Sequence, residues 1–263
     1  SWMQIEVTRE PDSAELAALA GRLAEVLADV RAAVSDWQPM RQTLAGLVGE
    51  LASQPPPLPR AEIAESIEFL RWLDDDNFTY LGFREYSFGP AGEPVRPPLG
   101  ILREAARPVF GGLRDLAALP PEVQDFLRRR ELLLIAKTNR RATVHRNADM
   151  DAIGIRRFGA GGEVEGVRLF IGLFTSLAYG RDPRSIPLLR LKVRRVVARA
   201  GLSPTSHDGK ALLHILNTFP RDELFQIGED ELYQTAIGIL NLQERQRIAL
   251  FVRRDPLERF VSC

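Results

Sequence analysis

Cysteine is almost missing from this chain: of 263 residues, Cys263 alone is one. A disulfide framework inside the chain is thereby excluded, and a reducing compartment such as the cytoplasm is the natural setting. An excess of either charge is missing too. Lys and Arg together number 35 and so do Asp and Glu, for a formal net charge of +0. A dedicated nucleic-acid binder carries a basic excess, so that class is disfavoured. No apolar run is long enough to span a bilayer, and no signal-peptide pattern is present. Histidine is scarce. His145, His207 and His214 are never spaced i, i+4 and have no cysteine nearby, so a zinc site is not indicated. His214, inside an apolar helical run, reads as a core or partner-facing residue. No G-x-G-x-x-G follows a strand and no G-x-x-x-x-G-K-[ST] occurs, which removes the common nucleotide fingerprints. Asp74-Asp75-Asp76 lacks the alternating ligands and glycine of a calcium loop and reads as a solvated helix end.

What is present is ordinary for a globular protein: 45% hydrophobic and 27% charged residues. Residues 1–7 alternate as a strand. From Pro11 to about 52 the spacing is helical, with Asp12 as cap, Leu16, Leu19, Leu23, Val26, Val30 and Val34 as a stripe, and an interruption at Pro39. Residues 53–59 are too proline-rich for a helix and form an extended linker. A helix over 60–75 precedes a strand over 78–88 and a short second strand at 99–103. Short helices are expected over 112–130. Strands follow at 131–137, 152–158 and 167–175, the last two joined by the hairpin turn Gly159–Gly162. Helices are expected from Ser185 to a stop at Gly201, at 207–217 and at 229–244. Residues 246–263 read as a strand, a turn and a strand cut short, so the chain is expected to be a piece of a longer protein.

The fold class expected is α+β: an antiparallel PAS- or GAF-like sheet with flanking helices over 60–176, plus helical segments at 11–52 and 185–245. Two strands, short helices and a three-strand meander give the PAS-like order. The rival is the ferredoxin-like order used by ACT domains, strand-helix-strand-strand-helix-strand.

One segment concentrates polar chemistry. Lys137, Asn139, Arg141, Thr143, His145 and Arg146 gather around the end of a buried strand. Such groups grip a carboxylate or phosphate, or form an inter-domain contact. The plainer reading, an exposed charged hairpin that keeps a sheet edge soluble, outweighs it.

Several stretches resemble the large bacterial NAD-specific glutamate dehydrogenases: Glu65–Tyr86, Lys137–Arg146, Arg168–Thr175, Pro220–Gln226 and Leu250–Pro256. The likeness runs from Ser1 to Cys263. It implies a parent enzyme that oxidatively deaminates L-glutamate to 2-oxoglutarate and ammonia with NAD. It implies that this stretch is the N-terminal part, with PAS-like and ACT-like regulatory modules. Residues 1–7 would be the tail of one ACT-like domain, and 246–263 the truncated start of the next. No catalytic residue, no metal and no cofactor is implied within the stretch itself. The implied partners are the rest of the polypeptide, further copies of it in a homo-oligomer, and an amino-acid effector; no nucleic acid or membrane is among them. The alternative is a free-standing small-molecule sensor or interaction module.

Overall fold

A computed structural model describes residues 6, 8–9, 11–88, 96–103, 129–242, 252–254 and 260–262. The strand expected over 1–7 and the short helices expected over 112–130 lie almost wholly outside the described residues.

Helix α1 (Ser13–Ser35) starts where Asp12 Oδ1 accepts the Ala14 N–H at 2.8 Å. Helix α2 (Trp37–Ser53) follows a break at Asp36, not at Pro39 as the sequence suggested. Pro39 lies in the first turn of α2, where its missing N–H costs no helical hydrogen bond. Asp36 is buried, and its carboxylate accepts the Gly100 N–H at 2.6 Å and the Arg103 guanidinium. The expected stripe of α1 does not turn inward as a unit. Leu16, Leu23 and Val34 are exposed, Leu19, Val26 and Val30 are half-buried, and Asp29 and Ala33 are the buried positions.

After the proline linker, helix α3 (Arg60–Trp72) ends in a π-type turn, Leu73–Asn77. Asp76 adopts φ 54, and buried Asn77 donates to the carbonyls of Trp72 and Asp75 at 2.7 Å. Strands β1 (Phe78–Ser87), β2 (Leu99–Gly100), β3 (Leu133–Arg141), β4 (Asp149–Phe158) and β5 (Val164–Phe174) form one antiparallel sheet in the order β2-β1-β5-β4-β3. A register shift between Tyr80 and Gly82 puts Tyr80 and Phe83 on the same side of β1. Gly172 of β5 is required by close approach: a Cβ there would lie 2.0 Å from the Thr79 carbonyl oxygen. Gly172→Ala should therefore cost about 1–3 kcal/mol in urea denaturation by pushing β1 and β5 apart. A change near zero would contradict this backbone spacing.

Both faces of the sheet are covered, which explains why β3, β4 and β5 read as nearly continuous apolar runs. One face carries Phe83, Ile153, Ile155, Phe170 and Phe174. It packs on α2, α3 and the helices that follow the sheet. These are α4 (Ser176–Gly180), α5 (Leu189–Ala200), α6 (His207–Thr218), α7 (Arg221–Gln226) and α8 (Glu229–Leu240). The other face carries Leu134, Met150, Ala152, Leu169 and Ile171, with Ala33 of α1 and Leu102 against it.

The start of α5 corrects the sequence reading. Ser185 closes a 3-10 turn, Pro183–Ser185, and α5 begins only at Leu189. Leu188 has φ 68, and its N–H is held by Glu65 of α3 at 2.7 Å. Arg190 donates to both oxygens of the same carboxylate, at 2.9 and 2.6 Å. Burial pushes the Glu65 carboxyl up, but these hydrogen bonds outweigh it and hold the group below its ordinary value. Gly201 closes α5 in the left-handed conformation, as its position suggested. The hairpin expected within 246–263 is a pair of short strands, β6 (Val252–Arg254) and β7 (Phe260–Ser262), in a sheet of their own.

Candidate functional site

Of the six polar residues singled out in the sequence, Lys137 and Arg146 lie toward one face of the sheet and Arg141 and Thr143 toward the other. Lys137 of β3 stands directly across from Asp151 of β4, so their side chains share a face. That face meets α7. Lys137 Nζ lies 2.8 Å from Asp151 Oδ1 and 2.6 Å from Asp222 Oδ2. The Lys137 N–H donates to Gln226 Oε1 at 3.2 Å. Arg146 leans the same way, donating to the Phe174 carbonyl at 2.9 Å, with its guanidinium 5.4 Å over the Tyr179 ring. Burial, the negative charge of Asp222 and a hydrogen bond to it raise the Tyr179 hydroxyl well above its ordinary value.

This cluster is almost dry. Asp151 is 1% exposed. Burial is the largest influence on its carboxyl and pushes it up to about 6, against the pull of Lys137. For Lys137, burial would favour the neutral amine. The two adjacent carboxylates outweigh burial and hold the ammonium above its ordinary value. The arrangement can clamp the sheet to α7.

Arg141 and Thr143 belong to the opposite side. Thr143 Oγ1 donates to Asp29 Oδ2 of α1 at 2.7 Å. Arg141 is largely exposed, 3.9 Å from Asp149. With Arg22, Glu25 and Val26 of α1, with Arg140, and over a floor of Ile101, Leu102, Met150 and Ile171, these residues line a half-open cavity of about 490 Å³. His145 sits in the loop after β3 with φ 74 and is exposed. Asn139 belongs to β3, and its side chain lies outside the described part of the structure. His214, expected in a core or against a partner, is exposed on α6 because the buried positions of that helix are Gly209, Leu212 and Leu216.

Sequence reasoning missed Asp151, Asp222, Tyr179, Arg22 and Asp29. Asp151 had a signal: a lone acid in the run Met150-Asp-Ala-Ile-Gly-Ile155 is expensive unless a cation faces it. Nothing local in the sequence pairs α1 with the loop after β3, 114 residues apart at the Asp29–Thr143 bond. Among the described residues no group of three His, Cys, Asp or Glu side chains is arranged to hold a metal ion. No described helix is long and apolar enough to cross a membrane.

The family model for glutamate dehydrogenase, helical motif 1, matches residues 186–245, the stretch that contains α5 to α8. All of the chain aligns with the NAD-specific glutamate dehydrogenase of Halomonas elongata at 41% identity. It aligns as completely with the proteins of that name from Pseudomonas aeruginosa, at 36%, and Mycobacterium tuberculosis, at 31%. The chain resembles NAD-specific glutamate dehydrogenases along its whole length. It spans 17%, 16% and 15% of the length of these three dehydrogenases respectively. The clamp of Lys137, Asp151 and Asp222 therefore joins the sheet to the stretch that this helical-motif model matches.

Proposed function

We propose that this chain is a non-catalytic regulatory and assembly region, from the N-terminal part of an NAD-specific glutamate dehydrogenase. The whole protein would convert L-glutamate and NAD to 2-oxoglutarate and ammonia in the cytoplasm, as a homo-oligomer. NAD would be bound by other parts of it. The sheet over 60–176 is a PAS-like module on this reading. Two strands precede a long connection and then a three-strand meander, and β3, β4 and β5 are joined without the intervening helix that an ACT-like order needs. Residues 1–7 and 246–263 are the edges of ACT-like neighbours.

The observation that carries the regulatory half is the position of β3. The same strand lines the cavity through Arg140 and Arg141 and grips α7 through Lys137. A ligand that prefers one position of β3 would bias the seating of the helical motif, and only such differential affinity transmits regulation.

The test uses the full-length enzyme with and without residues 1–263, because the sheet and the helical motif share one core. Removal should change the subunit count or abolish the response to amino-acid effectors, measured by light scattering and NAD reduction. The isolated 263-residue chain should show no NAD reduction with glutamate. Turnover by that chain, or a deletion that leaves both assembly and effector response intact, defeats the reading.

A further inference from the structure

We propose that the cavity between α1 and the sheet is a binding site for a small carboxylate carried on a short aliphatic body. The identity of the ligand deepens the regulatory reading above, while binding itself is measurable without it.

Charge sets the cavity apart from two other concave surfaces. In the groove on α5, Arg190 is tied to Glu65 and Glu68 and Arg184 to Asp182, which leaves one of its three arginines, Arg194, without an ion pair among the described residues. The recess beside Arg156 uses that guanidinium on the carbonyls of Glu131 and Leu133, at 2.8 and 3.1 Å. In the cavity between α1 and the sheet the arginines have fewer acidic partners among the described residues. Among the described residues, Arg22 and Arg140 make no ion pair, and Arg141 has only the exposed Asp149 at 3.9 Å. Three arginines and two acids, Glu25 and Asp29, line the cavity, and Asp29 already accepts the Thr143 hydroxyl. An anion is therefore favoured at the rim, and the planar fork of arginine suits a carboxylate.

The floor favours a ligand with an apolar part. Leu102, Met150 and Ile171 are buried, and with Ile101 they offer only apolar atoms. A volume of about 490 Å³ falls within the ordinary range of metabolite pockets. Glu25 is exposed at the rim and makes no ion pair among the described residues, so it can receive an ammonium group. The shared chemistry is a carboxylate on a branched or linear aliphatic chain, with an α-amino acid and its 2-oxo counterpart as the two sources.

Isothermal titration of the full-length enzyme and of the 263-residue chain, with L-leucine, 4-methyl-2-oxopentanoate and inorganic phosphate, separates the cases. At least one of the two organic acids should bind, and more tightly than phosphate. The double variant R22Q/R140Q, two exposed positions, should weaken that binding at least tenfold, whereas R194Q on α5 should leave it unchanged. Preference for leucine that disappears in E25Q assigns the ammonium to Glu25; equal binding of both acids assigns recognition to the carboxylate alone. Absence of binding to the full-length enzyme, binding untouched by R22Q/R140Q, or tighter binding of phosphate overturns the site. Leucine binding without any change in NAD reduction or subunit count keeps the site and removes the regulatory reading.

Discussion

Phe225→Ala should destabilise the chain by about 3–5 kcal/mol, a large fraction of the ~5–15 kcal/mol that holds an ordinary domain folded. Phe225 lies in α7, a helix of 6 residues. So short a helix has no stability of its own. Its ring sits 5.1 Å from Phe69, 6.2 Å from Trp72 and 5.1 Å from Phe174, stacked on the last. Those three partners come from α3 and β5, so the ring is shared between the sheet layer and the helical motif. Removing it leaves a cavity at the centre of the seam, and neighbours as large as Trp72 and Phe174 cannot all close on it. Trp72 gives a direct optical report of this place. Unfolding in urea should show coincident transitions by tryptophan fluorescence and far-ultraviolet circular dichroism, both moved to lower denaturant in the variant. A loss below about 1 kcal/mol, or two separated transitions in the parent chain, would mean that the motif at 186–245 folds independently of the sheet.

The shared core explains which parts of this fold are legible in the sequence. Strands β1, β4 and β5 could be placed within a few residues because β-branched and aromatic side chains repeat along them. Helices α5 and α6 end or begin at Gly201 and Ser206, whose local roles are visible in sequence. The misplaced boundaries are those decided from far away. The break at Asp36 depends on Gly100 and Arg103, 64 and 67 residues distant. The late start of α5 depends on Glu65, 123 residues before Leu188. Helix α7 escaped detection for the same reason, since its two buried apolar residues, Leu224 and Phe225, make no period by themselves. The candidate site was half legible. A dense run of polar residues marked Lys137 to Arg146, but a register shift between Lys137 and Arg141 sends these two to different faces. No property of the run alone says that Lys137 is half-buried and Arg141 exposed. That difference is set by Asp222 on one side and α1 on the other.

Lys137→Met should cost about 3–5 kcal/mol at pH 7, the usual penalty for leaving a buried charge without its partner. Asp151 is the charge left behind: it is 1% exposed, and with Lys137 gone it faces the second acid, Asp222. The penalty depends on pH, and its sign follows from the raised carboxyl. Asp151 binds its proton more tightly in the folded chain than in the unfolded one, where its pKa is about 3.9. Its favourable contribution is therefore complete below about pH 4 and is lost as the pH rises through about 6. Methionine at 137 removes the cation that holds this carboxyl down, so the loss moves to higher pH and deepens. Acid should thus partly rescue Lys137→Met, with a smaller difference from the parent chain at pH 5 than at pH 7. Asp151→Asn should behave oppositely. It keeps the shape and leaves Lys137 paired with Asp222, and it removes the titration, so the variant should gain on the parent chain between pH 4 and 6. Glu65 provides the contrast. Its folded value is depressed, so its contribution is present above the unfolded value near 4.3 and is lost only at lower pH, outside this window. Urea midpoints at pH 5 and 7 for the three proteins are sufficient. An effect of Lys137→Met that is the same at both values would mean that Asp151 does not carry the uncompensated charge.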